Sequence, residues 1–372
     1  MKKSYFLGVL LLIVGLANAQ QPTKIWGRFL LDVNDVNYSN EVKSAFEQPA
    51  GSVFIKNAWV GLIGNASPQI KYQLQFGLET GRASFKDNFV QFNSMGKIGA
   101  VKLGYYRKPL TMEFLNPFHH NQFMERAQGT TLLPARAYGI SLLSNNANAK
   151  TTYNLGLFKE GGINPTLDNG YSIITRITHL PIVTNDKLLH LGLGLGLTSP
   201  VNRALSYSAN NEIAKNTAFW ITEVTQVENI ITINAEVAGN YKNLNLQSET
   251  SLINIAHGEN LNQYILQSYV GVGWILTGEQ RSYNKSNGTF VGVKPLKPFN
   301  YGERTFGAVE VALRFSYLQN ADNVFIDNLN NVAATLSWYP TAKVRLSAGA
   351  TRGYVYGLGE NQSYTFRTQF VF

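Results

Sequence analysis

The stretch Val101-Lys-Leu-Gly-Tyr-Tyr-Arg-Lys-Pro-Leu-Thr-Met-Glu-Phe-Leu-Asn-Pro-Phe-His-His-Asn-Gln-Phe-Met-Glu-Arg126 begins with a strand pattern and then loses it. Side chains alternate between two faces from Val101 to Tyr106, which is the period-2 signature of a β-strand. Pro109 then ends the hydrogen-bonded ladder. From Arg107 to Arg136 no strand period remains, yet the segment is rich in Phe, Leu and Met. Such side chains need to be buried, and the lumen of a barrel would receive them.

Other segments of the chain show the same alternation over longer runs. In Ile70–Glu79 every second residue is apolar and the residues between them are polar or small, and the pattern recurs in 309–317 and 343–348. One face of each strand suits lipid and the other suits water. A soluble β-sandwich can alternate too. It does not need so many long segments that end in Tyr, Trp or Phe, which are typical of the aromatic girdles of membrane barrels.

Sixteen segments of this kind predict an all-β fold, a 16-stranded antiparallel transmembrane β-barrel with inward-folded loops. Residues 218–227 are a seventeenth candidate, but a closed barrel with both ends on the periplasmic side needs an even number of strands. We therefore assign 199–229 to a long connection. The predicted strands are 24–32, 53–64, 69–79, 86–95, 98–107, 136–145, 150–158, 170–180, 188–198, 230–241, 244–256, 263–277, 306–318, 328–339, 342–352 and 363–372.

The two ends of the chain point to export and to assembly in a membrane. Met1-Lys-Lys3, an apolar run from Tyr5 to Leu16 and Ala17-Asn-Ala19 predict a signal peptide over residues 1–19, which leaves 20–372 as the barrel. No later stretch approaches the roughly 18 apolar residues of a transmembrane helix. The last segment, Tyr364–Phe372, is aromatic and finishes on Phe, as the assembly signals of bacterial outer-membrane proteins do.

Counting strands also assigns the long connections to the two sides of the membrane. If the first strand runs outward, 108–135 and 199–229 are extracellular loops, while 278–305 connects strands on the periplasmic side. Periplasmic turns are normally short, so a connection of this length is unusual there.

The alternating glycines of Leu191–Leu197 predict a strand face of small residues, not a dinucleotide-binding loop.

Two blocks of the sequence resemble a known family. Gly104-Tyr-Tyr-Arg-Lys-Pro-Leu110, Phe123-Met-Glu-Arg126 and Arg136-Ala-Tyr-Gly-Ile140 are similar to the constriction-loop region of the phosphate-selective porin O and P family. A second block, formed by 275–281, 293–299 and 307–318, matches that family in order and spacing. The resemblance implies a porin of the Gram-negative outer membrane that passes small anionic solutes, phosphate among the candidates. It also implies a homotrimer in which two outer loops and one periplasmic segment fold into the lumen.

The charge of the chain agrees with an anion channel. The formal net charge is +9, and it is +7 without Lys2 and Lys3. Basic side chains on the wall and inward loops of a narrow pore attract anions, because low-dielectric surroundings focus their field. A basic exterior near lipid headgroups is the alternative explanation. By alternation the lumen face holds Lys71, Lys102, Arg176, Arg314, Lys343, Arg345 and Arg367 against Glu79, Glu236, Glu249 and Glu310.

From these and the inward connections we select candidate anion-binding residues. A structural ion pair remains the alternative for any one of them. The candidates are Lys56, Lys71, Lys102, Arg107, Lys108, Arg126, Arg136 and Arg314.

The second strand departs from the family. In the family a pair of arginines follows a Phe near the start of this strand and helps to build the phosphate site. Here the stretch is Phe54-Ile-Lys-Asn-Ala-Trp59, so Lys56 and Asn57 stand where two guanidiniums are expected. Lys binds phosphate as a point charge, without the two-pronged contact of Arg. We therefore expect anion preference with weak phosphate binding.

Other kinds of function leave weaker signals. His119 and His120 with Glu113 and Glu125 match no metal-ligand spacing, so we expect no metal and no cofactor. We expect outer-membrane lipid as a partner and no nucleic acid. Two alternatives to a porin stay open, namely a barrel enzyme such as a protease or phospholipase, and a non-conducting barrel for adhesion or anchoring. Replacing each histidine by Ala tests the first, and single-channel recording tests the second.

Overall fold

The structure is a computed structural model that describes residues 23–45, 51–96, 99–144, 150–166, 170–215, 218–258, 261–320 and 328–372. The predicted signal peptide, residues 1–19, lies outside the described residues. Within the described ranges, no helix has the length and apolar character needed to cross a membrane.

Sixteen antiparallel strands form a closed barrel across the described residues, as predicted. Each strand pairs with its neighbours in sequence, and β16 returns to β1, with Arg28 opposite Val371 at one end and Tyr38 opposite Asn361 at the other. β4 consists of two short pieces that both pair with β3. Closure leaves no unpaired strand edge, which a bilayer requires. The strands are β1 Lys24–Tyr38, β2 Gly51–Ser67, β3 Ile70–Gly77, β4 Ser84–Phe85 with Asn88–Phe92, β5 Ala100–Arg107, β6 Arg136–Leu143, β7 Thr151–Lys159, β8 Tyr171–Val183, β9 Lys187–Thr198, β10 Val227–Tyr241, β11 Leu244–His257, β12 Leu261–Ile275, β13 Ala308–Asn320, β14 Asn328–Tyr339, β15 Val344–Val355 and β16 Gly359–Val371.

The remaining regular elements lie in the connections. They are the helices α1 Asn40–Ala45 and α2 Met112–Leu115, the 3₁₀ turns Phe118–His120, Gln128–Leu132 and Val201–Arg203, and the short strand pairs Leu205–Ala209 with Trp220–Val224 and Tyr283–Asn284 with Thr289–Phe290. The seventeenth strand candidate, 218–227, contributes to the first of these pairs. It therefore belongs to a connection and not to the barrel wall, as the even strand number requires.

The strands separate an apolar exterior from a polar interior. On β9 the outward residues Leu193 and Leu195 are 48% and 42% exposed in the absence of lipid, whereas the inward His190 is completely buried. The inward glycines of this strand make room for the lumen filling. A Cβ placed on Gly194 would lie 2.2 Å from the carbonyl oxygen of Leu110, which belongs to the inward segment after β5.

Two differences from the expected strands have a clear cause. β1 continues to Tyr38 instead of ending at 32, because its polar residues face the lumen; Asp32, for example, is buried against Arg367. Lys343 does not face the lumen. It is exposed in the 340–343 turn between β14 and β15, one residue before the strand begins.

Three long connections enter the lumen, as predicted. Residues 108–135 and 199–226 start at one end of the barrel, and 276–307 starts at the other, where the turns 184–186 and 242–243 are short. Short turns mark the periplasmic end of outer-membrane barrels. All three connections contact wall residues inside the barrel: Glu113 and Glu212 bind Arg314, and Arg281 binds Glu310.

Candidate anion pathway in the lumen

A cavity of about 510 Å³ lies between the wall formed by β1 to β8 and the inward segments 108–135 and 276–307. It is the candidate path for a solute through the described lumen. Its charged lining residues are Arg28, Lys71, Lys102, Arg107, Arg176 and Asp87.

Two lysines of the wall face this cavity without an acidic partner. Lys71 on β3 and Lys102 on β5 point from adjacent parts of the wall, and neither forms an ion pair with a described residue. The ammonium of Lys102 lies 4.5 Å from the ring centre of Phe89 and 5.2 Å from that of Tyr106. Aromatic faces attract a cation but carry no net charge. Both lysines therefore contribute positive charge to the cavity.

Arg28 on β1 is an additional cation that sequence reasoning missed. Its side chain is 2% exposed, its Nη1 lies 2.8 Å from Nδ1 of His119, and its guanidinium lies 3.7 Å from the ring centre of Trp59. Its Nε and Nη2 are buried and have no hydrogen-bond partner among the described residues. Unsatisfied buried donors on a charged group are costly. An anion in the cavity would satisfy them.

The signal for Arg28 was hidden in an apolar run. Polarity does not alternate from Trp26 to Leu31, because the inward Leu30 is as apolar as the outward Phe29 and Leu31. The inward polar residue Asp32, four positions after Arg28, has the same parity. Counting back from Asp32 within the predicted strand 24–32 would have placed Arg28 on the lumen face.

Arg107 and Arg136 share a single carboxylate. Asp87 accepts from Nε of Arg136 at 2.8 Å and lies 3.4 Å from Nη2 of Arg107. Arg107 also donates to the carbonyl of Leu115 at 2.8 Å, which fixes the inward segment to the end of β5. One negative charge between two guanidiniums leaves this part of the lumen positive.

Arg126 lies in the inward segment itself and binds that segment's own backbone. It donates to the carbonyls of Asn116 at 2.8 Å and Glu113 at 3.1 Å, and its guanidinium lies between the rings of Phe114 and Phe118 at 5.4 and 5.3 Å. These contacts hold the shape of the segment. Within the described part of the chain, carbonyls and rings are the direct partners of Arg126, and no carboxylate forms an ion pair with it.

Lys56, Lys108 and Arg314, which were also candidates, lie in ion pairs and do not line the cavity. Lys56 pairs with Glu125, and the 3%-exposed Lys108 pairs with Glu160. Arg314 is the most enclosed of the three: it binds Glu113 at 3.0 Å and also binds Glu212. The structure thus places these three residues in the structural pairs that the sequence had left as the alternative.

The other side of the lumen, toward β9 to β16, is filled by paired charges. Arg281 binds Glu310 with two contacts of 2.9 Å, and Arg367 binds Asp32 at 2.7 and 2.6 Å. Such two-pronged contacts are the strongest geometry between guanidinium and carboxylate. Wall arginines also hold the segment 108–135 by its carbonyls, with Arg367 on Met124 at 2.7 Å and Arg345 on Gln122 at 2.9 Å.

The comparison with protein families identifies this architecture. The family described as phosphate-selective porin O and P matches residues 24–354. The chain belongs to this family. It is a porin of the Gram-negative outer membrane, and the resemblance found in the sequence is confirmed.

Solved structures share the fold of this porin at low sequence identity. An anion-selective porin from Comamonas acidovorans is similar with a TM-score of 0.61 and 12% identity, covering 95% of this chain and 100% of that one. The outer membrane channel DcaP of Acinetobacter baumannii is similar with a TM-score of 0.60 and 8% identity over 96% and 99% of the two chains. The trimer form of OmpT, an outer membrane protein of Vibrio cholerae, gives 0.60 and 10% over 95% and 99%. No curated protein matches the chain.

Three histidines of the porin, His119, His120 and His190, belong to the lumen filling. Burial, together with neighbouring arginines, lowers the pKa of His119 well below its ordinary value and lowers the pKa of His120 to about 3, so both rings are neutral at physiological pH. His190 is completely buried between Glu236 at 2.9 Å and the hydroxyl of Tyr283 at 2.6 Å, away from the cavity. Among the described residues no group of three or more acidic or histidine side chains is placed to hold a metal ion.

Proposed function

We propose that this porin conducts small anions passively and that the cavity beside β1 to β8 is their path. The observation that carries the proposal is the buried guanidinium of Arg28, with two N–H-bearing nitrogens that no described residue satisfies. A buried guanidinium with unsatisfied N–H donors can bind an anionic ligand. The mobile anions of the solution are the ligands that the cavity admits.

The charges around Arg28 support the same conclusion. Lys71 and Lys102 line the cavity without acidic partners, and Arg107 and Arg136 share the single carboxylate of Asp87. Walls of low dielectric constant focus such a surplus and raise the local concentration of anions. Cations are repelled by the same field.

Phosphate is one of the anions that this path admits, without a dedicated site at the second strand. Lys56 is engaged by Glu125, and the amide of Asn57 donates to the carbonyl of Lys56. Neither lines the cavity. A guanidinium that faces the cavity comes instead from β1, where Arg28 lies opposite Trp59. Millimolar phosphate should therefore block chloride current weakly, and tight block would point to a site built on Arg28.

We further propose that the porin works as a homotrimer. The family resemblance supports this assembly, and one structural relative is described as a trimer form. Transport is passive and requires no catalytic residue. A barrel enzyme would lose its activity when a catalytic histidine is replaced by Ala. In this porin, single replacements by Ala should abolish no activity, which distinguishes it from a barrel enzyme. The residues to replace are His119, His120, His179, His190 and His257.

The experiment is a reversal-potential measurement on the reconstituted wild-type porin in a KCl gradient. Chloride should be more permeant than potassium. The preference should shrink as salt rises, because the Debye length falls from about 10 Å at 0.1 M to about 3 Å at 1 M. A channel that prefers potassium would refute anion selectivity and leave the porin fold intact. Absence of any current from the assembled barrel would refute conduction itself.

A further inference from the structure

The periplasmic connection 276–307 has a second part that does not enter the lumen. Its residues from Lys294 to Phe306 are mostly exposed, including Leu296 at 75%, Tyr301 at 90% and Phe306 at 58%. Large apolar side chains with this degree of exposure need an explanation when they form a contiguous patch.

The backbone of this part is well defined. Asn300 and Thr305 form a β-bridge with two hydrogen bonds of 3.1 Å, so that residues 300–305 make a small hairpin with Tyr301 near its tip. The amide of Phe299 donates to the carbonyl of Pro340 at 2.7 Å, which ties the hairpin to the turn between β14 and β15. The exposed side chains are therefore held in position.

Contacts with Trp338 place the hairpin on the outer side of the barrel. Trp338 has the same parity on β14 as the outward Leu336, which is 51% exposed. The ring of Phe306 stacks on Trp338 with centroids 5.0 Å apart, and the ring of Phe299 meets it edge-on at 5.8 Å. The indole N–H of Trp338 donates to the carbonyl of Phe306 at 2.7 Å. The hairpin thus folds over the outer rim, on the side where lipid lies.

The rim itself has the composition of a membrane interface. Trp274 on β12 is 49% exposed and sits across from Val311, close to Trp338 in the register of β12 to β14. Aromatic residues at this level form the girdles of outer-membrane barrels. The hairpin extends this girdle with further aromatic and apolar side chains.

The charges of the hairpin complement phospholipid headgroups. Lys294, Lys297 and Arg304 are exposed, Lys343 is exposed in the adjoining turn, and Glu303 is the opposing acid within the hairpin. Lys and Arg beside apolar side chains bind anionic membrane surfaces. We propose that residues 294–306 are an interfacial anchor that binds the phospholipids of the periplasmic leaflet, with Leu296 and Tyr301 inserted and the basic residues on lipid phosphates.

A spin-label experiment tests the anchor in the full-length porin. The chain contains no cysteine, so a single Tyr301→Cys variant can be labelled uniquely, and the exposed Asn185→Cys in the periplasmic 184–186 turn serves as the control. The porin is reconstituted in vesicles of phosphatidylethanolamine and phosphatidylglycerol. The label at 301 should be several-fold less accessible than that at 185 to a water-soluble nickel relaxant, and more accessible to oxygen.

Two results would overturn the proposal. Equal access of the nickel reagent to both labels would show that the hairpin projects into the periplasm. A label at 301 that is immobile and shielded from both relaxants would show that protein, such as a second copy of this chain, covers the hairpin.

The basic residues are tested with the Lys294→Gln/Lys297→Gln/Arg304→Gln variant, which should raise nickel access at 301, and an unchanged value would exclude headgroup binding.

Discussion

The lumen of this porin has a filled side and an open side, and the two differ in how their charges are paired. Toward β9 to β16 the guanidiniums of Arg281, Arg314 and Arg367 each meet a carboxylate, as Arg281 does with Glu310 and Arg367 with Asp32. Toward β1 to β8 the cavity is lined by Lys71 and Lys102, which form no ion pair with a described residue, and by a single acid, Asp87. Basic residues are present on both sides. Their number therefore says little about selectivity, and their pairing decides whether they act on a solute or on the fold.

The filled side keeps the segment 108–135 in place. Buried ion pairs do not necessarily add net stability, because desolvation offsets much of their attraction, but they strongly penalise the loss of one partner. Wall arginines also bind the segment's carbonyls. The open side can then remain open because the segment has no freedom to collapse into it.

Removing the inward segment should have the largest effect on the channel. Deletion of residues 112–125 should raise the single-channel conductance several-fold, since this segment occupies the space beside the cavity. It also removes Glu113 and Glu125, so the chloride preference should not fall. An assembled variant with unchanged conductance would show that the segment is not the constriction. The folded, heat-modifiable band on unheated gels provides the control for assembly.

Removing one partner of a buried ion pair on the filled side should have the next largest effect, here on the stability of the barrel. Arg314→Met leaves Glu113 and Glu212 buried without their cation, a type of change that costs about 3–5 kcal/mol. The matched control is Arg352→Ala, which removes an arginine paired with Glu360 on the exposed exterior. Exposed pairs contribute about 0–1 kcal/mol. The temperature at which the folded band disappears on gels should fall for the first variant and hardly change for the second. Equal shifts would contradict the account of the filled side.

Acidification should have a smaller effect than these changes. It should lower the stability of the barrel before it alters the selectivity for chloride. In the unfolded chain His119 and His120 bind protons below about pH 6.5, whereas burial in the barrel lowers the pKa of His120 to about 3 and that of His119 well below its ordinary value. The unfolded state thus binds more protons between these values, so the free energy of unfolding falls as pH drops through this window. Chloride preference should stay constant from pH 7 to 5. A rise with a midpoint near 6.5 would show that these rings become charged in the folded porin.

Much of the fold could be predicted from the sequence, because barrel strands repeat every two residues and the membrane forces one face of each to be apolar. The aperiodic, apolar segment after Arg107 and the long periplasmic connection showed where the lumen is filled. Pairing across the lumen could not be predicted. Glu113 and Arg314 are far apart in sequence, and nothing in a strand pattern indicates that Glu212, from a second connection, also binds Arg314.

The site shows the same limit. Lys71 and Lys102 follow a clean alternation, which made them candidates. Lys108 was selected from the aperiodic inward connection, yet a carboxylate from another connection binds it. Arg28 was missed because the apolar Leu30 occupies the next inward position of β1 and interrupts the polar alternation. Which cations remain free depends on contacts between segments distant in sequence.

The most direct test compares charge removal on the open side with charge removal inside a pair. Lys71→Gln/Lys102→Gln removes two unpaired cations, whereas Lys56→Gln/Glu125→Gln removes a complete ion pair and leaves the net charge unchanged. Reversal potentials are measured for both variants and the wild type in a KCl gradient near 0.1 M, where the Debye length is about 10 Å. The first variant should lose most of the chloride preference and the second should retain it. Equal loss in both variants, or loss only in the second, would contradict the claim that the unpaired cations of the open side make the porin select anions.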